Sequence, residues 1–321
     1  MSTKFVFLLP GQGSQFLGMC DSLCRDFPKT YARFKLAAEI LGYDIGTVIS
    51  RGPIEKLNQT ETTQPAMLLA SIATWDGWLA CGGASPDYFA GHSFGEYSAL
   101  VCANAIRFED AVVLAAERGR FMQEAVSAER SAVCAVLGLE EAVLKELCEQ
   151  AAEDQIVQCA NINAPGQIVL AGHREAVDRA SNLATKAGAK KIIPLAVSAP
   201  VHCDLMLPAA TRLAEHINGV QINMPEIPVI HNVDAKPRKN VNDIRAALIA
   251  QMASPVLWRN TIEYLAKKNV TSAIECGPGK VLSSLVRRTA KSIKTYSLSD
   301  KSSIDAVIDN FSYTRGQEVK E

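Results

Sequence analysis

Hydrophobic and polar positions change period several times along this chain, and each change marks an element. Phe5-Val6-Phe7-Leu8-Leu9 is an unbroken apolar run closed by Pro10 and Gly11. A run that short, bounded by turn residues, predicts a strand buried on both faces. Across 64–80, Met67, Leu68, Ile72, Trp75 and Leu79 fall at helical spacing, and Cys81-Gly82-Gly83 stops the helix. Tyr88-Phe89-Ala90 predicts a second short strand. Gly91-His92-Ser93-Phe94-Gly95 predicts a sharp turn, followed by helices over 96–105 and 108–125. The second of these opens on Glu109 and Asp110, which suit the positive end of a helix dipole.

From about 131 to 197 the pattern shifts. Strands are expected over 132–137, 156–163, 167–171 and 191–197, and helices over 140–152 and 175–187. That β-α-β-β-α-β order is the ferredoxin-like unit. Beyond it come helices over 205–217, 244–253, 258–267 and 281–290, with strands at 229–230 and 272–275. Strands alternating with helices predict a mostly parallel sheet. The expected fold class is therefore α/β. A larger α/β-hydrolase-like domain is built from 1–129 and 198–321, and an inserted ferredoxin-like subdomain from 130–197.

Composition narrows the picture. The chain has 321 residues, 48% of them hydrophobic, which is enough for a sizeable core and excludes a disordered or fibrous protein. With 33 basic and 34 acidic residues the net charge is −1, so a nucleic-acid partner is not expected. No apolar run reaches the ~18 residues of a membrane span, and the run at 5–9 is too short for a signal-peptide core. No membrane partner is expected. The nine cysteines are scattered with no CxxC pair, and nothing near Cys20 and Cys24 completes a zinc set. They read as reduced thiols in a cytoplasmic protein with no metal.

The segment 91–95 matches G-x-S-x-G. Glycines flank such a serine because the backbone turns sharply from strand to helix, which lifts the hydroxyl above the sheet edge. The following N–H, at a helix N-terminus, is then placed to stabilise an oxyanion. Ser93 is the candidate nucleophile and needs a base. Of the five histidines, His92 adjoins the serine and should point away, while His202 and His231 both fit by position. The stiff Pro200 loop slightly favours His202. Arg118 lies ten positions along the 108–125 helix. If that helix packs antiparallel to the preceding one, Arg118 returns to the height of Ser93. There it would hold a carboxylate bidentately; otherwise it is a surface arginine paired with Glu117 or Glu124. Gly11-Gln12-Gly13 is not a dinucleotide fingerprint, because Phe16 stands where the third glycine is needed. Gly277-Pro278-Gly279-Lys280 lacks the spacing of a phosphate loop.

Together these segments resemble the malonyl-CoA:acyl carrier protein transacylases of fatty-acid synthesis. The resemblance is carried by the segments 9–15, 63–66 and 91–96, by Arg118-Gly119, and by 163–167, 200–202 and 232–234. Gln251, Pro255-Val256 and 277–280 complete it. It implies ping-pong transfer of a malonyl group from malonyl-CoA to acyl carrier protein, with Ser93 as nucleophile and His202 as base. A backbone carbonyl near Gln251 would orient the histidine, and the N–H groups of Gln12 and Phe94 would form the oxyanion hole. Arg118 would bind the malonyl carboxylate, and Gln64 would line the site. Phe94 is usual in malonyl-selective members. The run Ala199-Pro200-Val201-His202 departs from the His-Ala-Phe-His of polyketide synthase domains, which points to a stand-alone enzyme. No cofactor is implied, since the CoA thioester is a substrate. The alternative is a serine esterase or thioesterase, with water as acceptor.

Overall fold

The apolar run at the N-terminus forms the centre of the molecule. The computed structural model describes residues 4–127, 129–195 and 199–318. The strands in chain order are β1 (Lys4–Leu9), β2 (Tyr88–Gly91), β3 (Ser131–Leu137), β4 (Val157–Ala164), β5 (Gln167–His173), β6 (Lys191–Pro194), β7 (Val229–Ile230), β8 (Val270–Cys276) and β9 (Lys294–Leu298). They form two sheets. Five strands in the order β7-β2-β1-β8-β9 are all parallel, and four in the order β4-β5-β3-β6 are antiparallel.

β1 explains the first sheet. Phe5, Phe7 and Leu9 point into one core cluster and Val6 and Leu8 into another, all fully buried. Helices cover both faces, so the strand shows no polar alternation. The ring of Phe7 meets Trp75 at 5.3 Å and Trp78 at 5.2 Å, edge to face, on the helix Thr60–Ala80. Each fully buried ring stabilises the fold by about 1.5–3 kcal/mol.

The second sheet carries the helices Glu141–Ala152 and Arg174–Lys186 on one face, around Leu144, Cys148, Leu170 and Ala180. Its other face packs Val133, Ala135, Val169 and Ala171 against Cys203, beside the first sheet's carboxyl edge. Main-chain bonds tie it to the segment ahead of the helix Trp258–Lys267: Ile162 N–H donates to Val256 O (2.9 Å) and Val256 N–H to Ala160 O (2.9 Å).

Several boundaries differ from expectation. The helix expected from 64 begins at Thr60 and runs through Pro65, its sixth residue, which gives up the hydrogen bond an N–H there would have made to the Glu61 carbonyl. The helix after Ser93 is Gly95–Cys102, which ends three residues earlier than expected. The helix expected from 205 starts with a 3₁₀ turn, Asp204–Met206, and becomes α-helical at Leu207–Gly219, with Pro208 in its first turn. The one expected from 244 begins at Val241, because the Asn240 side chain caps it by accepting from Asp243 N–H (2.9 Å). The last strand of the smaller sheet ends at Pro194; Val197 and the expected boundary at 197/198 lie outside the described residues. Four helices between Asp21 and Leu57, the edge strand β9 and the helix Lys301–Glu318 had no counterpart in the sequence reading.

Candidate active site

Parallel strands place all their carboxyl ends on one edge, and loops there converge on a crevice. Leu9 of β1 pairs with Gly91 of β2, so the loops at Gln12 and Ser93 start side by side. His231 and Asn232 follow β7 on the same edge. A cavity of ≈290 Å³ opens here, lined by Gln12, Gln64, Ser93, Phe94, Arg118 and His202. The antiparallel sheet closes one side with Asn161, Asn163 and Val169.

Ser93 sits at φ 52°, the left-handed region that ordinary side chains avoid. Two glycines make this turn feasible. A Cβ on Gly95 would lie 2.1 Å from Leu9 O, and one on Gly91 would lie 1.9 Å from the Gly95 carbonyl carbon. Asn232 clamps the turn: its Oδ1 accepts from Ser93 N–H (2.6 Å) and its Nδ2 donates to Gly91 O (2.6 Å). Phe94 N–H and Gln12 N–H have no acceptor among the described residues, and both residues line the cavity.

His202 is the histidine that reaches Ser93, with Nε2 2.7 Å from Oγ. Its Nδ1 lies 2.8 Å from Gln251 O. A carbonyl only accepts, so Nδ1 carries the hydrogen and the Nε2 lone pair faces the serine hydroxyl. His202 also has a left-handed backbone, φ 63°, held by its N–H to Met252 O (3.1 Å). Burial, and then the neighbouring Arg118 charge, lower its pKa to about 3. His231 is instead buried against Glu96, with Nδ1 2.7 Å from Oε1. His92 turns away as expected, with Nε2 2.8 Å from Asn163 Oδ1 and its ring against Trp258.

Arg118 is only 1% exposed. Its Nη1 donates to Gln64 Oε1 (2.9 Å), and its Nη2 donates to Gln251 Oε1 (3.1 Å) and approaches Ser93 Oγ at 3.5 Å. The surface-arginine alternative is overturned: Glu117 and Glu124 pair with Arg120. A Cβ on Gly119 would lie 2.5 Å from Glu61 Cα, so that glycine lets the helix Thr60–Ala80 approach and deliver Gln64. The guanidinium carbon lies 5.9 Å from the Phe94 ring centre and 5.6 Å from that of Tyr97, and those two rings stack on each other. Burial lowers the Arg118 pKa from its usual value.

All seven residues singled out from the sequence therefore meet around one cavity or its immediate support. Gln251 does more than lend a carbonyl: its side chain Nε2 donates to Ser93 O (3.0 Å) and Glu96 Oε2 (2.9 Å). Glu96 and Asn232 were missed as functional positions. Both fell within segments that carried the resemblance, but their contacts span more than 130 residues of sequence.

A strained serine, a neutral histidine and an unpaired arginine in one crevice define an acyl-transfer site, and whole-chain comparison agrees. The chain belongs to the acyl transferase domain family, whose model matches residues 6–310. Within it, the chain groups with the malonyl CoA-acyl carrier protein transacylases. The Escherichia coli (strain K12) transacylase is 46% identical over 96% of this chain and 99% of its own length. The Bacillus subtilis (strain 168) transacylase is 44% identical over 95% of this chain and 96% of its own. Among solved structures, the transacylase of Coxiella burnetii superposes with a TM-score of 0.95 at 45% identity, covering 96% of this chain and 98% of that one. A malonyl-transacylase solved with the holo acyl-carrier protein of a type II polyketide synthase gives 0.94 at 43%, covering 96% and 100%.

Proposed function

We propose that this protein transfers a malonyl group from malonyl-CoA to the phosphopantetheine thiol of acyl carrier protein, supplying malonyl-carrier for fatty-acid elongation. The observation that carries the reading is Arg118: a buried cation within 3.5 Å of Ser93 Oγ whose hydrogen-bond partners are neutral oxygens. A malonyl group ends in a carboxylate, and a desolvated cation without a carboxylate partner is a place for one.

The roles follow from the geometry. Ser93 Oγ attacks the thioester carbonyl while its proton passes to His202 Nε2. Gln251 O holds Nδ1–H and stabilises the imidazolium that forms. The N–H groups of Gln12 and Phe94 receive the developing oxyanion. The C–S bond breaks, the CoA sulfur takes the proton from His202, and malonyl-Ser93 remains. The carrier thiol then attacks that ester, giving its proton to His202, which returns it to Ser93 as the ester bond breaks. When the malonyl carboxylate sits on Arg118 it offsets the charge that depresses His202, so the bound acyl group makes the base stronger. Gln64 and Gln251 hold the guanidinium in place. Every step uses groups of this chain and its two substrates, and we infer no resident cofactor.

The larger body, 1–129 with 198–321, is α/β-hydrolase-like in its nucleophile turn. The insert, 130–197, is ferredoxin-like; numbered from its own first strand, its sheet order of second, third, first, fourth supports that reading. All nine cysteines are free thiols, in keeping with a cytoplasmic enzyme.

The test is to incubate the protein with radiolabelled malonyl-CoA and acyl carrier protein and follow the label. Transfer to the carrier through labelled enzyme is expected. Label accumulating as free malonate would replace the proposal with a thioesterase.

A further inference from the structure

Glu96 is fully buried one helical turn beyond Ser93, and its carboxylate is held by His231 and by Asn232 and Gln251, two residues that brace the site. Oε1 lies 2.7 Å from His231 Nδ1. Oε2 accepts from Asn232 N–H (2.8 Å) and from Gln251 Nε2 (2.9 Å). The first turn of a helix favours an acidic side chain there.

A carboxylate only accepts hydrogen bonds, and Ser93 O, the other partner of Gln251 Nε2, is also only an acceptor. Both hydrogens of the Gln251 amide are thus directed away from Arg118. Its Oε1 has one direction left, toward Arg118 Nη2 at 3.1 Å. Without Glu96 the amide could turn over and present N–H groups to the guanidinium. Through Asn232, the same carboxylate also anchors the clamp on the nucleophile turn.

We propose that Glu96 is a positioning residue for acyl selectivity: it sets the orientation of the Gln251 amide, and the amide oxygen holds Arg118 where an acyl carboxylate must land. His231 completes the device by holding the second carboxylate oxygen, so Glu96 cannot rotate away. This deepens the malonyl-transfer reading and rests on it.

The experiment compares wild type, Glu96→Gln, Gln251→Ala and each of these combined with Arg118→Ala. It measures kcat/KM for enzyme acylation by malonyl-CoA and by acetyl-CoA, with thermal unfolding recorded alongside. Glu96→Gln keeps the shape but can donate, which permits the amide to turn. The malonyl-to-acetyl ratio is expected to fall by roughly ten- to a hundredfold in Glu96→Gln, the scale of a misdirected hydrogen bond to a charged group. In the Arg118→Ala background the same change should leave the ratio where Arg118→Ala alone put it. Gln251→Ala, which leaves the backbone carbonyl holding His202 intact, should reproduce the fall, and it decides the matter if Glu96→Gln does not fold. Equal losses for both thioesters, or a ratio effect that persists without Arg118, would overturn the proposal and leave Glu96 a purely structural residue. A wild type showing no malonyl preference would overturn the function reading as well, and that is read before any variant.

Discussion

At Arg118 the buried guanidinium touches two amide oxygens and the nucleophile but no carboxylate. With malonyl-CoA the acyl carboxylate pairs with it; with acetyl-CoA it stays unpaired, so one residue both attracts the right acyl group and rejects the wrong one. Arg118→Ala is expected to lose about 3–5 kcal/mol of malonyl transition-state stabilisation, the scale of breaking a desolvated pair. It should lose far less toward acetyl-CoA. Measuring kcat/KM for both thioesters decides it: an equal fall for both would make Arg118 structural and shift attention to Gln64 and Phe94. The residue types at Ser93, His202 and Arg118 were legible because each carries chemistry in its side chain and sits in a telling local pattern. Glu96 and Asn232 were not. An acid in the first turn of a helix is ordinary, and nothing local says that it will meet residues 231, 232 and 251.

The strand–turn–helix around Ser93 is the element on which the site depends. Leu9 O and the Gly95 carbonyl stand where side chains would be at Gly95 and Gly91, so β1, β2 and the helix Gly95–Cys102 pack closer than any Cβ allows. Gly95→Ala must push the helix off the end of β1. It is expected to destabilise the protein by about 1–3 kcal/mol and to slow acylation by about a hundredfold, as a shift near 1 Å in a nucleophile does. Denaturant titration together with single-turnover acylation checks this. Unchanged rates in a folded Gly95→Ala protein would mean that the turn is looser than its geometry says. Elements with strong local signals came out close to expectation: the helices Phe108–Ala125 and Trp258–Lys267 and the strand Val229–Ile230 begin and end where the pattern placed them. β9 is different. Burial along Lys294–Leu298 is only partial, as on a sheet edge, so its sequence shows little apolar periodicity.

For the whole molecule, burying His202 between the two sheets links the site to folding. The unfolded chain takes up a proton on this imidazole near the ordinary histidine value of about 6.5, whereas the native state resists until about 3. Between those values the unfolded state binds more protons. The contribution of His202 to stability is therefore complete above about 6.5 and is lost as pH falls toward 3. Urea titrations across that range should show stability falling with acid, and falling less steeply in His202→Gln. The kcat/KM profile, which reports the free enzyme, should show no limb centred near 6.5; such a limb would mean that the histidine is solvated. The amino-acid sequence by itself determined the class of fold, the mostly parallel character of the main sheet and the three chemical groups of the reaction. These follow from periodicity, turn residues and side-chain type, which are local properties. Only the tertiary structure decided that His202 rather than His231 meets Ser93. It also decided that Arg118 faces inward to Gln64 and Gln251, and that Glu96 and Asn232 brace the turn. Those choices are made by strand register and helix packing, which bring together residues up to 158 positions apart.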